Sequence, residues 1–354
     1  MSPIPLPPDR TRRLALLLGA TACALLAWVG SVAACEGLAS WAESRPNVYL
    51  WWWDEWMQVF TPSTYVERGA GRVQLCGASE MREGVLVDQL DRALPGHEVL
   101  QDAFSLGTLQ SARLLLEHQE REHGPASMPE VLLLGLTPRF CLQHPPTPDV
   151  PSIRALQTYA PGARVVFEEG EPPRLERRPL WESLRARYRL LVAQSPRYRN
   201  ALLAASLSMT REVHASEGLG RDSRLRPPKW HRQEPLDHSR YPEAVAVARR
   251  QWDYDLADKD IEYELRSIHS LCERYGTRLL LVQMPRASWM RACDPEGFHA
   301  HYRALVANAL PGVPSLDLER LLEDEEYFDW AHATAQGAAR VTEELARYVG
   351  EHLE

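Results

Sequence analysis

An aspartate and a histidine stand three residues apart near the C-terminus, in the segment YFDWAHATAQGAARVTEELARYV (Tyr327–Val349). A carboxylate can hold an imidazole through one ring nitrogen while the other nitrogen accepts a proton, which is the chemistry of a general base. Asp329 and His332 form the one D-x-x-H pattern of the chain and directly precede a predicted amphipathic helix. The pair is a candidate base with its orienting acid. A surface aspartate beside a histidine in a helix's first turn is the other interpretation.

A serine follows the first predicted strand, in the segment VQLCGASEMREG. Gly77 permits a tight turn without a Cβ clash, and Ser79 would then begin a helix with its hydroxyl directed outward. The backbone N–H groups of a helix's first turn favour a developing oxyanion nearby. Ser79 is therefore a candidate nucleophile, while capping of the helix by its hydroxyl is the structural alternative.

Two further junctions between strand and helix carry small or polar residues. Gly107 precedes a helix in AFSLGTLQSARLLL, and Gly135 and Thr137 end the most apolar run in LLLGLTPRF. Open parallel sheets build their sites at the carboxyl ends of their strands. Gly107, Thr137 and Gly135 could therefore complete an oxyanion or substrate pocket around Ser79.

Composition and charge exclude several classes of protein. The chain has 354 residues, 45% of them hydrophobic, which suits one large globular domain or two small ones. A formal net charge of -8 argues against a nucleic-acid partner, because phosphate binding needs a basic face. The six cysteines include no C-x-x-C, so neither a metal site nor a cofactor is predicted. Cys272 and Cys293 could pair in an oxidising compartment.

Short apolar runs alternate with helical stretches after residue 70. The predicted strands are RVQLC, HEVLQDA, EVLLLGL, TRLLLVQMP and GVPSLDL. The predicted helices cover about Glu80–Leu94, 107–120, Asp260–Tyr275 and Phe298–Leu310, besides the C-terminal one. This alternation predicts an α/β fold whose parallel sheet is covered by helices on both faces.

The alternation of predicted strands and helices stops between about residues 145 and 255. Proline punctuation in HPPTPDVP opens this stretch, and helices are predicted near Trp181–Ala193 and Tyr198–Leu207. The later segment RDSRLRPPKWHRQEPLDHSRYP is rich in arginine and proline and has no periodicity. We interpret the stretch as a helical and irregular insertion in the α/β domain.

The N-terminus combines basic charge with a long apolar run. Three arginines precede LALLLGATACALLAWVGSVAA (Leu14–Ala34), which contains no charged residue. About 20 apolar residues cross a bilayer core, so an uncleaved transmembrane helix with the main domain outside is predicted. A cleaved signal peptide and a lipoprotein attached at Cys35 in VAAC are the alternatives. All three place the remaining chain on the periplasmic or extracytoplasmic side of a bacterial cytoplasmic membrane.

These patterns divide the chain into three parts. Residues 1–35 form a cytoplasmic stub and anchor, 36–69 an aromatic juxtamembrane segment, and 70–354 the α/β domain with its insertion. The aromatic segment contains VYLWWWDEWMQVF, whose indole rings suit either the headgroup level or a helix packed on the domain.

The order of the chemical motifs resembles that of the SGNH (GDSL-like) hydrolase superfamily. Its blocks match GASEM after the first strand, a glycine after the second, GLTPRF after the third, and YFDWAHATAQGA before the last helix. The resemblance covers roughly residues 70–140 and 275–350. It implies a three-layer, flavodoxin-like parallel sheet. Within the superfamily the segments are most similar to membrane-anchored envelope proteins of teichoic-acid D-alanine transfer and alginate-type O-acetylation.

The resemblance implies a site and an activity. Ser79 would be the nucleophile, His332 the general base and Asp329 its orienter, with Gly107 and Thr137 as oxyanion donors. The implied activity is serine-dependent O-acyl transfer or ester hydrolysis on a cell-envelope glycan. The implied partners are an acyl donor, the glycan acceptor and a membrane-bound acyltransferase.

Two departures from the family pattern keep a second hypothesis open. Ala78 stands where hydrolases of the group usually have aspartate, and Thr137 replaces the asparagine of the third block. A catalytically silent scaffold that binds polysaccharide or organises an envelope complex would tolerate both changes.

Overall fold

The computed structural model describes residues 71–103, 107–141, 162–168, 171–187, 258–329 and 331–353, with isolated positions within 16–30, 153–160 and 243–246. The chain divides into two compact units, residues 1–53 with 194–226, and residues 54–193 with 227–354. In the first unit the described residues (16, 18–23, 26, 27 and 30) are helical. The second unit contains the sheet and every candidate site residue.

Seven strands and nine helices have continuous described residues in the second unit, which also has isolated helical positions at 153, 156, 157, 243 and 246. The strands are β1 (Gly71–Gly77), β2 (His97–Ala103), β3 (Val131–Leu136), β4 (Ala163–Val166), β5 (Arg174–Arg177), β6 (Arg278–Gln283) and β7 (Ser315–Asp317). The helices are α1 (Ser79–Gly84), α2 (Val87–Ala93), α3 (Leu109–His123), α4 (Pro138–Cys141), α5 (residues 180–187), α6 (Asp258–Tyr275), α7 (Ser288–Arg291), α8 (Phe298–Ala309) and α9 (Ala335–Leu353). Short 3-10 turns lie at Pro125–Ser127 and Asp324–Glu326.

Five strands form one parallel sheet in the order β2-β1-β3-β6-β7. This is the flavodoxin-like strand order, in which the chain reverses its direction of winding between β1 and β3. All five predicted strands are confirmed. The central strands β1, β3 and β6 are largely buried between the two helical layers, whereas the edge strands β2 and β7 are only partly buried. The crevice at the carboxyl ends of β1 and β3 is where such sheets bind ligands.

Helices cover both faces of the sheet. Strand residues alternate between two hydrophobic clusters, so that Leu75 and Leu133 face one layer while Leu132 and Leu134 face the other. The first layer contains α1, α2, α7 and α9, and the second contains α3, α4, α6 and α8. The predicted three-layer α/β architecture is therefore confirmed.

The helix predicted over Glu80–Leu94 is in fact two helices, α1 and α2. Val85 adopts an extended conformation between them, and the Leu86 N–H donates to Thr342 Oγ1 in α9 at 2.8 Å. In a continuous helix the Leu86 N–H would donate to a carbonyl of the same helix. Here it donates instead to a residue 256 positions away in the chain.

The insertion contains an antiparallel hairpin that the sequence did not predict. Strands β4 and β5 pair with each other, outside the main sheet. Each has four residues, and β5 reads RLER, so neither shows a clear strand period. Helix α5 confirms the first half of the helix predicted at Trp181–Ala193. The second half, the helix predicted at Tyr198–Leu207 and the arginine-rich segment lie outside the described residues.

The pairing considered for Cys272 and Cys293 is wrong. Neither cysteine forms a disulfide, and the two belong to different hydrophobic clusters. Cys272 packs in the layer of α6, whereas Cys293 packs with α7 on the opposite face of the sheet.

Most of the N-terminal apolar run and the whole aromatic segment lie outside the described residues. Among the positions that are described, no helix has the length and mean hydropathy of a membrane span. The transmembrane anchor stays a prediction.

Candidate active site

The aspartate and histidine of the C-terminal motif are joined by a hydrogen bond. His332 Nδ1 lies 2.7 Å from Asp329 Oδ2. The other carboxylate oxygen, Oδ1, accepts the backbone N–H groups of Ala331 at 2.9 Å and His332 at 2.8 Å. Three donors therefore fix the Asp329 carboxylate, and the carboxylate in turn fixes the orientation of the imidazole ring.

The surroundings of Asp329 keep its carboxyl group ionised. Burial raises the pKa of Asp329, but hydrogen bonds from the His332 ring and from two backbone amides outweigh burial and hold the pKa below its ordinary value of 3.8. An ionised carboxylate at Nδ1 favours the tautomer that carries its proton there. Nε2 is then the nitrogen that can act as a base.

A tight loop between the Asp324–Glu326 turn and α9 holds this pair. Tyr327 and Ala333 form an isolated antiparallel bridge, and the Phe328 N–H donates to the His332 carbonyl at 3.0 Å. The Phe328 ring stacks on the His332 ring with centroids 5.8 Å apart and planes inclined by 19°. These contacts fix the plane of the imidazole as well as its position along the loop.

A glycine lets helix α9 begin close to this loop. A Cβ atom at Gly337 would lie 2.9 Å from the Glu326 carbonyl oxygen and 3.1 Å from Leu322 Cδ1. A larger residue there would displace the loop, so Gly337 supports the position of the Asp329–His332 pair.

Ser79 is the first residue of α1 and lies directly beyond the carboxyl end of β1. The capping position is occupied by Ala78, and the cap has no side-chain hydrogen bond. The capping interpretation of Ser79 is therefore wrong. Its hydroxyl instead donates to Glu80 Oε2 at 3.3 Å, and the Ser79 residue is 7% exposed.

Two glycines allow α1 to lie closely over the sheet. A Cβ at Gly77 would lie 2.9 Å from Met81 Cβ and 3.0 Å from the Gly135 carbonyl oxygen, and a Cβ at Gly135 would lie 2.9 Å from Met81 Sδ. Gly77 is thus needed for close packing with Met81. Gly135 lies within β3, paired with Val282, and its missing side chain makes room for the same methionine.

The remaining candidate residues occupy the predicted junctions. Gly107 is buried and stands before Thr108, which begins α3 in a reciprocal capping box with Ser111. Thr137 follows β3, is 3% exposed, and its hydroxyl accepts the Phe140 N–H at 3.1 Å. Their role as oxyanion donors stays a prediction.

The structure joins Asp329 to His332 but does not join His332 to Ser79 by a hydrogen bond. In the part of the chain that is described, the Ser79 hydroxyl bonds to Glu80 and not to the imidazole. The two parts are nevertheless carried by elements that pack together, because α9 contacts both α1 and α2.

Sequence reasoning missed two residues that shape this site. Glu80 accepts the Ser79 hydroxyl, and Phe328 stacks on the base. The position of a glutamate directly after the candidate nucleophile was the sequence signal for the first. The aromatic residue before Asp329 was a signal for the second.

Comparison with known proteins gives a remote likeness. No known family model matches the sequence, and no curated protein matches it. A solved structure to which the chain is similar is that of a proposed acylhydrolase from Bacteroides fragilis. The match has 9% identity and a TM-score of 0.41, and covers 86% of this chain and 99% of that chain. A similarity of this size does not identify a function.

Proposed function

We propose that this protein is a serine-dependent acyl-transfer enzyme, an O-acyl transferase or esterase that uses Ser79, His332 and Asp329. The observation that carries the proposal is the Asp329–His332 pair, held by a 2.7 Å hydrogen bond on the loop before α9. A partly buried, ionised carboxylate on Nδ1 is what a general base requires, because it orients the ring and stabilises the imidazolium that forms.

The first half of the reaction forms an acyl-enzyme. The Ser79 hydroxyl turns from Glu80 toward His332 and attacks the carbonyl carbon of an acyl ester, while Nε2 takes the hydroxyl proton. The carbonyl electrons move onto oxygen, and the Ser79 amide with Gly107 and Thr137 stabilises that oxyanion. The tetrahedral intermediate then expels the alcohol, which receives the proton from Nε2.

The second half repeats these steps with another hydroxyl. Water or a sugar hydroxyl attacks the acyl-serine carbonyl while His332 takes its proton, and Ser79 leaves with that proton. Attack by water gives an esterase, and attack by a sugar gives a transferase. The machinery is the same in both cases, so access of the acceptor decides between them.

The cellular setting belongs to the proposal as well. The apolar run Leu14–Ala34 and the resemblance of the motifs support a single-pass protein of the bacterial cytoplasmic membrane that faces the periplasmic or extracytoplasmic side. An envelope glycan would be the acceptor, and a membrane-bound acyltransferase would supply the acyl donor.

The hydrogen bond between Ser79 and Glu80 favours a second candidate function. A serine that bonds to its neighbour and not to the imidazole is what a silent scaffold would show. In that case the domain would bind polysaccharide, or organise an envelope complex, without turnover.

A fluorophosphonate probe distinguishes the two functions, because it labels a serine only when a base activates it. We expect covalent labelling of the purified full chain that is lost in Ser79→Ala and kept in the control Ser270→Ala, whose serine is exposed on α6. A folded protein that stays unlabelled would contradict the enzyme and support the scaffold.

A further inference from the structure

Helix α5, in the insertion, presents large apolar side chains to solvent. Leu180 is 77% exposed, Trp181 69% and Leu184 50%. Successive helix residues turn by about 100°, so these three side chains share one stripe. Ala186 is 1% exposed on the other side and seats the helix on the protein. The three exposed residues Leu180, Trp181 and Leu184 are called the α5 stripe below.

Arginines border the α5 stripe. Arg185 and Arg187 flank it on its two sides by the same helical geometry. The guanidinium carbon of Arg185 lies 6.0 Å from the centre of the Trp181 ring. An indole with an adjacent guanidinium combines an apolar body with a cation, the composition found at lipid headgroups.

The local charge is strongly positive although the whole chain is acidic. Residues 174–187 contain five arginines and two glutamates. Both glutamates have arginine partners, Glu176 at 3.1 Å from Arg174 and Glu182 at 3.9 Å from Arg164. The segment therefore keeps an excess of guanidinium charge beside the α5 stripe.

A cavity of about 770 Å³ opens next to the stripe, with Leu180 in its lining. Its described lining also includes four arginines and one carboxylate: Arg121, Arg177, Arg178, Arg187 and Glu122. Arginine forks match phosphate oxygens and hold them with paired hydrogen bonds. Arg121 and Arg178 already donate to backbone carbonyls, so Arg177 and Arg187 are the lining arginines that would hold a lipid phosphate group whose acyl chains lie against the stripe.

The hairpin that carries this surface is fixed to the body of the domain. Arg113 of α3 donates to the Pro173 carbonyl at 2.6 Å, and Arg121 donates to the Leu175 carbonyl at 3.1 Å. The stripe and the arginines are therefore presented in a constant orientation rather than on an unsupported loop.

We propose that the α5 stripe and its arginines dock on a membrane surface that contains anionic phospholipid. The leucines and the indole enter the headgroup region while Arg177, Arg185 and Arg187 bind phosphate. This contact is separate from the N-terminal apolar run and does not depend on the catalytic proposal.

Local amide exchange tests the proposal in the full chain. The protein is placed in nanodiscs of phosphatidylcholine alone, or of phosphatidylcholine mixed with phosphatidylglycerol. We expect exchange within residues 180–187 to be about tenfold slower in the anionic discs, because docking protects the helix and depends on surface charge. The N-terminal arginines are also attracted to anionic lipid, so the measurement is confined to residues 180–187 and is paired with variants of α5 itself.

Charge reversal supplies the matched variants. Arg185→Glu with Arg187→Glu should abolish the difference, whereas the control Arg347→Glu on α9, whose side chain is 62% exposed, should keep it. Equal exchange in the two lipids would overturn the proposal. So would protection without lipid that grows with protein concentration, which would identify a second copy of the chain as the occupant.

Discussion

The two parts of the proposed active site are held in different ways. The Asp329 carboxylate accepts three hydrogen bonds of 2.7 to 2.9 Å. It orients the His332 ring, on which Phe328 stacks. The Ser79 hydroxyl has one longer bond of 3.3 Å, to the residue that follows it. The base is fixed in advance, whereas the nucleophile is attached only to its neighbour.

This difference indicates where reactivity would be controlled. A base that is already oriented requires no reorganisation when substrate arrives. In the proposed mechanism the Ser79 hydroxyl must leave Glu80 before it can donate to the imidazole. Substitutions in the fixed part should therefore abolish turnover, and substitutions at Glu80 should only tune it.

The largest effect is expected for His332→Ala, which removes the base. The rate of ester turnover or of probe labelling should fall by about 10⁶-fold, as for loss of the base in a serine hydrolase. The melting temperature should stay within a few degrees of the parent, measured by circular dichroism.

The matched control for this variant is His301→Ala. His301 also pairs with an aspartate, Asp258, at 2.8 Å, but its side chain is 53% exposed on α8. Its loss should leave turnover unchanged. If His332→Ala does not fold and His301→Ala does, His332 has a structural role. The contrast between a fixed base and a loosely held serine would then be wrong.

A smaller but severe effect is expected for Asp329→Asn. The amide keeps an acceptor for the backbone N–H groups but favours the wrong imidazole tautomer, so turnover should fall by about 10⁴-fold. Asp258→Asn is the control. Turnover at the parent rate would remove Asp329 from the mechanism.

The pH dependence of stability gives an independent measure of the same carboxylate. The folded pKa of Asp329 lies below its ordinary value of 3.8, so its ionised form stabilises the fold above that pH. This contribution is lost as the pH falls through the folded pKa. The free energy of unfolding should therefore decrease less on acidification in Asp329→Asn than in the parent.

Glu80→Ala should have a modest effect in the opposite direction. Removal of the acceptor frees the Ser79 hydroxyl, and a hydrogen bond worth about 1 kcal/mol corresponds to about fivefold faster probe labelling. Glu80→Gln keeps an acceptor oxygen and should label at nearly the parent rate. Slower labelling of Glu80→Ala would show that Glu80 helps to activate Ser79.

The sequence predicted the local features of this fold well. Strand β3 is a continuous apolar run, and Asp329 and His332 are three residues apart, so both features are visible within a short window. Ser79 and His332 are 253 positions apart in the chain. Their separation in space therefore cannot be inferred from any short stretch of sequence.

Contacts formed only in the folded chain shape two features of the region around Ser79. The break between α1 and α2 is set by Thr342 in α9, and the close packing of Gly77 is set by Met81 and Gly135. These are tertiary contacts that override a local helix or turn preference. Gly84, at which α1 ends, was a local stop signal within residues 80–94, and the continuous helix was predicted across it.

The smallest change in activity is expected on loss of the hydrogen bond between Leu86 and Thr342, at the break between α1 and α2. Thr342 is fully buried, and its hydroxyl accepts the Leu86 N–H at 2.8 Å and donates to the Ala338 carbonyl at 2.7 Å. Thr342→Val keeps the shape but leaves Leu86 without its acceptor. The variant should lose about 1–3 kcal/mol of stability in chemical denaturation.

This variant also tests whether the two parts of the site are mechanically joined. Helix α2 follows α1, whose first residue is Ser79, and α9 follows the loop that carries His332. In Thr342→Val the Leu86 amide should exchange faster, whereas Thr342→Ser, which keeps the hydroxyl, should protect it. Turnover should fall by about twofold in the valine variant, since the loss of one remote hydrogen bond shifts the helices only slightly. Unchanged exchange at Leu86 would mean that the bond does not set the break, and that Ser79 is positioned by the packing of Met81 alone.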